Sequence, residues 1–419
     1  MKVDAGIMQK DYTLKRFIVI LAVSLMFVFH VSAQFRNGFS SDSISLDPSG
    51  VHGWTFYAGD GSVDMSFRSR KGYASINVDA TKDKRGIWWA LIRRCVSGSM
   101  NVGLLTKPEN ALRIEARIRV SHAPRRINLH LNTQRTTDFH THLMEFDIPD
   151  TSNWYTISMT THDFDAHQGD TVYGQLALMD WGLEKYRVDI DYFKVDIVNT
   201  DSAGSDQGVQ VPYHPPVPDP MTYAYHIPVA QDGMIDVEYP DMNFNNWSTQ
   251  DDSGKIHVLT VNSTQYVILR WDLMKFTGKK VIGSGVLELT TYSLQRSHEY
   301  MKDFGMVRVT EIIGGNPQWN QNEVTYSSFC KGQSLNSVLN SQMIIDIEVS
   351  EKRGDRNLIT IPNPVLQRMI NGKTLGLAMR PLGVVNASFH AMENQDGKFS
   401  AQLHFNLNSE SLIPVQLDH

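Results

Sequence analysis

Between Leu112 and Glu145 the chain reads LRIEARIRVSHAPRRINLHLNTQRTTDFHTHLME, and its first two segments alternate apolar and polar residues strictly. That is the period of a half-buried β-strand. Leu112, Ile114, Ala116, Ile118 and Val120 share one face of the first segment, opposite Arg113, Glu115, Arg117 and Arg119. In the second, Ile127, Leu129 and Leu131 oppose Arg126, Asn128, His130, Asn132 and Gln134. The turn Ser121-His122-Ala123-Pro124 predicts a hairpin, which would set Arg119 against Arg126, Arg117 against Asn128 and Glu115 against His130. A face so rich in Arg, His, Asn and Gln reads as the floor of a polar groove.

Short alternating or apolar runs recur from Trp54 to Val198, punctuated by Gly, Pro, Asn and Asp and with almost no amphipathic helix. A second all-β pattern runs from Tyr225 onward, with Pro364 to Asn371 as its one short helix. Asn199 to Met221 holds five prolines and no periodicity, so it reads as a semi-rigid linker. The expected architecture is all-β: two β-sandwich or jelly-roll domains, residues 50–198 and 226–410, joined by a linker at 199–225.

The N-terminus adds a location. Lys15 and Arg16 precede an apolar run from Phe17 to Phe29, followed by Val31-Ser32-Ala33. This is the pattern of a cleaved signal peptide over residues 1–33, and the run is short for a membrane span. The mature chain is expected outside the cytoplasm, in the periplasm, at the cell surface or beyond it, without a membrane span. With 419 residues, a net charge of -6 and a pI near 6.2, a general nucleic-acid role is not supported. Cys95 and Cys330, the only cysteines, fall in different domains, which excludes a Cys-rich metal centre.

Residues 228 to 407 carry an ordered set of segments. Asn243-Phe244-Asn245 follows an Asp-containing strand, and then comes Tyr266-Val267-Ile268-Leu269-Arg270-Trp271-Asp272-Leu273. Gly285-Val286-Leu287-Glu288-Leu289 leads to Trp319, Asn320, Glu323, Val324, Thr325 and Tyr326, and Ser388-Phe389-His390, Glu393 and Gln402-Leu403-His404-Phe405 close the set. In order and wording this resembles carbohydrate-binding module family 96, the DNRLRE-like β-sandwich. Trp271 replaces the family's Phe, Tyr326 its Trp, and Ala401 its common Pro. The resemblance implies an accessory module for acidic polysaccharides, in which Trp319 and Trp247 either stack on sugars or fill the core.

The groove residues suit β-elimination on a uronic acid. One group neutralises the carboxylate, with Arg117, Asn128 or Arg135 as candidates, and His130 leads as base, with His140 and His142 close behind. Arg113, Glu115, Arg119, Arg126, Asn132, Gln134 and Trp181 are the candidate substrate contacts. Tyr155, Tyr173 and Tyr186 are further candidates for a lyase tyrosine. Arg113-Ile114-Glu115-Ala116-Arg117 is similar in form to a strand of jelly-roll alginate lyases, and the block loosely resembles polysaccharide lyase family 29, which acts on chondroitin-type glycosaminoglycans. Arg187, Asp189 and Asp191 either extend the polar floor or form cross-strand ion pairs. Of Trp88 and Trp89, adjacent on a strand, one must face outward.

No phosphate-cradling Gly loop, HExxH helix, GxSxG elbow or dinucleotide fingerprint is present. A glycosidase through Glu115, Glu145 or Asp147 ranks third. The expectation is a secreted lyase cleaving an anionic, uronate-containing polysaccharide, with a glycosaminoglycan favoured. Its alternative is a non-catalytic secreted or surface glycan-binding protein. No cofactor or metal is implied, and a structural or bridging Ca2+ is left open.

Overall fold

The computed structural model describes residues 34–39, 53–59, 61–83, 88–137, 141–179, 182–211, 216–245, 248–251, 254–296, 305–340 and 345–408. The expected signal peptide, His140, Trp181 and Trp247 lie outside the described residues. Among those described, no helix is long and apolar enough to cross a membrane.

The chain is all-β, built as two sandwiches. The first uses β1 (Gln34–Asn37), β2 (Trp54–Gly59), β3 (Asp64–Arg70), β4 (Tyr73–Asp79), β5 (Trp89–Cys95), β6 (Asn110–Val120), β7 (Arg125–Thr133), β8 (Leu143–Ile148), β9 (Tyr155–Thr161), β10 (Val172–Met179), β11 (Lys185–Asn199) and β12 (Val209–Val211). Sheet I has the order β3-β4-β11-β6-β9, with β1 also on β11, and sheet II the order β12-β8-β7-β10-β5-β2.

The alternation of β6 and β7 is as expected: Leu112, Ile114, Ala116, Ile118, Ile127 and Leu129 are all fully buried. The hairpin is not. β6 pairs with β9 and β11 in sheet I, whereas β7 pairs with β8 and β10 in sheet II. Ser121 to Pro124 therefore form a corner between sheets, and Ser121 is tied to Arg187 of sheet I. Period-2 patterning says which face is buried but not which strand lies alongside, and this turn lacks the Asn-Gly or Asp-Gly signature that selects a tight hairpin. The two polar faces therefore look outward on opposite sides of one sandwich. Between them, Trp54 meets Phe193 edge-on at 5.0 Å. Gly174 of β10 leaves room for Phe193 of the opposite sheet, since a Cβ there would lie 3.0 Å from its ring.

The second sandwich contains β13 (Tyr225–Pro228), β14 (Gln231–Asp236), β15 (Ser248–Asp251), β16 (Gly254–Val261), β17 (Gln265–Arg270), β18 (Val281–Arg296), β19 (Gly305–Glu311), β20 (Ile345–Ile347), β21 (Arg356–Ile361), β22 (Leu377–Gly383), β23 (Val385–His390) and β24 (Gln402–Leu407). They form a seven-stranded sheet, β13-β24-β18-β23-β16-β15 with β21 on β18, and a five-stranded sheet, β14-β17-β22-β19-β20. Three short helices join them: α1 (Tyr326–Cys330), α2 (Leu335–Val338) and α3 (Asn363–Ile370). Only α3 is apparent from patterning. The other two are single turns, and α1 is defined by a capping box between Thr325 and Ser328. Trp319 is a core residue at 1% exposure rather than a sugar platform.

The two sandwiches are joined by more than a spacer. β12, within the proline-rich segment, adds to β8 of sheet II. Arg368 of α3 reaches Asp147 of β8 at 2.7 Å and Glu311 of β19 at 2.8 Å. Arg125 of β7 donates to Asn340 at 2.9 Å. The first is part-buried and the second buried, and both cross the domain junction.

Candidate functional site

The outer face of sheet I carries Arg113, Glu115, Arg117 and Arg119, each already engaged. Arg113 donates to Ser158 Oγ at 2.9 Å and to the carbonyls of Ala203, Gly204 and Ser205. Glu115 accepts from Tyr192 at 2.8 Å. Arg117 pairs with Asp191 at 2.7 Å and Arg119 with Asp189 at 3.0 Å, while Arg187 also reaches Asp189 at 2.9 Å. Asp189 and Asp191 thus form cross-strand ion pairs with Arg119 and Arg117, and Arg187 pairs with Asp189 along its own strand, β11. The guanidinium groups of Arg117 and Arg119 also lie over Trp154. The face is a self-compensated salt-bridge lattice.

The outer face of sheet II is different. Antiparallel pairing sets residues directly opposite one another on one face, so registers give cross-strand rows. One row runs Leu143, His130, Gln175, Arg93, Thr55. The row on one side is Glu145, Asn128, Ala177, Leu91, Tyr57, and that on the other contains Asn132, Tyr173 and Cys95. Beyond Leu91, Met179, Trp89 and Gly59 form a further row. Arg126, Asn128, Asn132, Glu145 and Gln175 are all buried, and they form a closed polar floor. Trp89, Arg93, His130 and Tyr173 are half-buried around it.

Floor chemistry divides into paired and unpaired groups. Arg126 pairs with Glu145 at 2.9 Å, and Asn128 Nδ2 donates to Glu145 at 3.4 Å and contacts the Met179 sulfur at 3.2 Å. Asn132, at 1% exposure, has no hydrogen-bond partner for either amide atom among the described residues. A buried unpaired amide costs about 1–3 kcal/mol, a cost that is relieved when a polar partner reaches it. Trp89 stands at the rim. Its indole covers Gly59, where an added Cβ would lie 2.1 Å from the ring, and meets Tyr57 edge-on at 5.4 Å. Trp88 points inward and stacks on Tyr186 at 5.9 Å, the opposition that adjacent strand positions require.

The remaining candidates fall outside this cluster or at its edge. Gln134 and Arg135 both bind Asp170. His142 lies 3.2 Å from Asp163 and against Phe164. Tyr186 is buried in the core, and Tyr155 bonds Asp150, which together with burial holds its phenol protonated. Among the described residues no three His, Cys, Asp or Glu side chains gather as metal ligands. Sequence reasoning missed Tyr57, Arg93 and Gln175, since only strand register reveals that they adjoin β7. Tyr173 was named only as one of three tyrosines.

No family model matches the chain, and no curated protein matches it, so the likeness of residues 228–407 to family 96 rests on the residues quoted above. Solved structures similar to it include the family 11 carbohydrate-binding module from Clostridium thermocellum with a β-1,3-1,4-mixed-linked tetrasaccharide, at 15% identity, 36% of this chain, 91% of that chain and a TM-score of 0.24. The CBM22-1 xylan-binding domain of Paenibacillus barcinonensis Xyn10C matches at 13% identity, covering 40% of this chain and 94% of its own, with a TM-score of 0.25. The tandem CBM22-1-CBM22-2 domain of the same protein covers 88% of this chain and 95% of its own at 11% identity and a TM-score of 0.24.

Proposed function

We propose that the chain is a glycan-binding protein whose sugar site is the outer face of sheet II. The observation that carries this is the placement of Trp89 over Gly59, beside Tyr57, above a floor that holds the unpartnered amide of Asn132. A pyranose ring has apolar C–H faces and polar hydroxyl edges. An indole at a rim takes the first, and neutral amides with free donors and acceptors take the second. In this reading the chain works outside the cytoplasm, as the pattern from Lys15 to Ala33 implies, and the second sandwich is a further module for the same kind of ligand.

Elimination through the residues expected from the sequence is not favoured by this geometry. It needs a carboxylate-neutralising group and a base on one substrate. Arg117 and His130 stand on opposite sides of the sandwich, in sheets I and II. Asn128 shares the face of His130, but its amide is engaged by Glu145 and Met179. Binding without bond cleavage is the function these residues support.

The test is calorimetric titration of the mature protein with soluble uronate, xylan and mixed-linked glucan oligosaccharides, together with Trp89→Ala. Binding to at least one of them, weakened about tenfold or more by the substitution and without release of unsaturated sugar, is the expected result. Appearance of unsaturated product would restore the lyase reading. Equal binding by Trp89→Ala would move the site elsewhere.

A further inference from the structure

Sequence patterning placed the anion-handling charges on Arg113, Arg117, Arg119, Arg126 and Arg135, and each of these has a carboxylate within 4 Å. Arg93 is different. It is half-buried on the outer face of sheet II, and among the described residues no carboxylate pairs with it and its Nε is buried without an acceptor. An unpaired, partly desolvated guanidinium is costly in the empty state, which marks it as a group waiting for an anion.

Its orientation is informative. The guanidinium lies over the ring of Tyr173, 3.4 Å from the centroid. Stacking engages the plane of the guanidinium and leaves its in-plane N–H groups free, which is the arrangement that accepts a planar carboxylate bidentately. Gln175 is directly opposite Arg93, and Asn132, with both amide atoms unpartnered, is directly opposite Tyr173. Neutral donors therefore flank the place where a carboxylate on Arg93 would sit. Trp89 lies four residues earlier on the same strand and same face. At about 3.3 Å per residue the two are about 13 Å apart, so a ligand touching both contains more than one sugar ring.

The geometry points to an acidic glycan as the ligand, with Arg93, stacked on Tyr173, as the residue that selects the carboxylate of a uronate. This rests on the glycan reading of the same face. The protein should bind a uronate oligosaccharide at least tenfold more tightly than the same oligosaccharide with its carboxyl groups reduced to alcohols.

The experiment measures Kd for that matched pair, and for a sulfated neutral oligosaccharide, in wild type, Arg93→Gln, Arg93→Lys and Trp89→Ala. Arg93→Gln should lose the preference for the acid, a roughly 10- to 100-fold change, and still bind the reduced sugar. Arg93→Lys should recover only part of it, because an ammonium has neither fork nor stacking plane. Trp89→Ala should weaken both sugars equally. A wild type that binds acid and reduced forms alike, or an Arg93→Gln that keeps the preference, overturns the role of Arg93 while leaving the glycan site intact. Binding of the sulfated ligand alone overturns the carboxylate assignment. Absence of binding to every sugar removes the glycan reading and this inference with it.

Discussion

The indole of Trp89 covers Gly59, and a Cβ at position 59 would lie 2.1 Å from Cζ2. The two residues are directly paired between β2 and β5, so the missing side chain of one is the seat of the other. Gly59→Val should push the indole off its seat without disturbing the core, because both positions look outward. The expected outcome is a shift of tryptophan emission, an affinity loss approaching that of Trp89→Ala, and a stability change within about 1 kcal/mol. A variant that binds normally would show that the position of the indole is unimportant.

Arg368 ties the sandwiches together, bonding Asp147 and Glu311 with side-chain exposures of 14%, 7% and 0%. Removing it leaves two buried carboxylates without their cation. Arg368→Ala should cost about 3–5 kcal/mol of unfolding free energy, and Arg368→Met less than an uncompensated charge of that size would imply if Asp147 is changed to Asn at the same time. Denaturant unfolding followed separately for each sandwich should change from one transition to two.

Arg113 holds the start of the inter-domain segment through the carbonyls of Ala203, Gly204 and Ser205. Arg113→Ala should release residues 200–208 to proteases, at a cost of about 1–3 kcal/mol locally. Limited proteolysis with mass mapping checks this, and Arg113→Lys should rescue poorly because one ammonium cannot span three acceptors.

Asp232 predicts a pH dependence in the second sandwich. Burial, aided by the neighbouring Glu393 and opposed by the bond from Met392 N–H, pushes its carboxyl from 3.8 up to about 7. The folded state then keeps a proton that the unfolded chain has released, so this group's contribution falls as pH rises from about 4 to about 7. Over that window the effect amounts to a few kcal/mol at most. Asp232→Asn should therefore stabilise the protein more at pH 8 than at pH 5, as read by denaturant titration. Equal stabilisation at the two pH values would mean that Asp232 is ionised in the folded state across the whole window.

The residues that face the core were legible in the sequence, because burying one side of a strand imposes a period of two that survives in any topology. Ile114, Ile118, Ile127 and Leu129 illustrate this. Strand neighbours were not legible. β6 and β7 have compatible patterns, and only tertiary packing puts them in opposite sheets, which divides one expected groove into a salt-bridge lattice and a polar floor. Asn128, His130 and Asn132 belong to the floor, but their partners Gln175, Arg93 and Tyr57 lie 37 or more residues away, at separations that no local pattern reports. β1 was also missed, since Gln34–Asn37 is four residues long and gains its strand character from β11.

Cys95 gives the most direct test of where the ligand sits. It is exposed, directly opposite Tyr173 and on the face proposed for the sugar, while Cys330 is buried in the other sandwich. Its alkylation by iodoacetamide should slow about tenfold when a uronate oligosaccharide is present at ten times its Kd, and the protection should need proportionally more ligand in Arg93→Gln. An unchanged alkylation rate with ligand bound would contradict the placement of the glycan on sheet II.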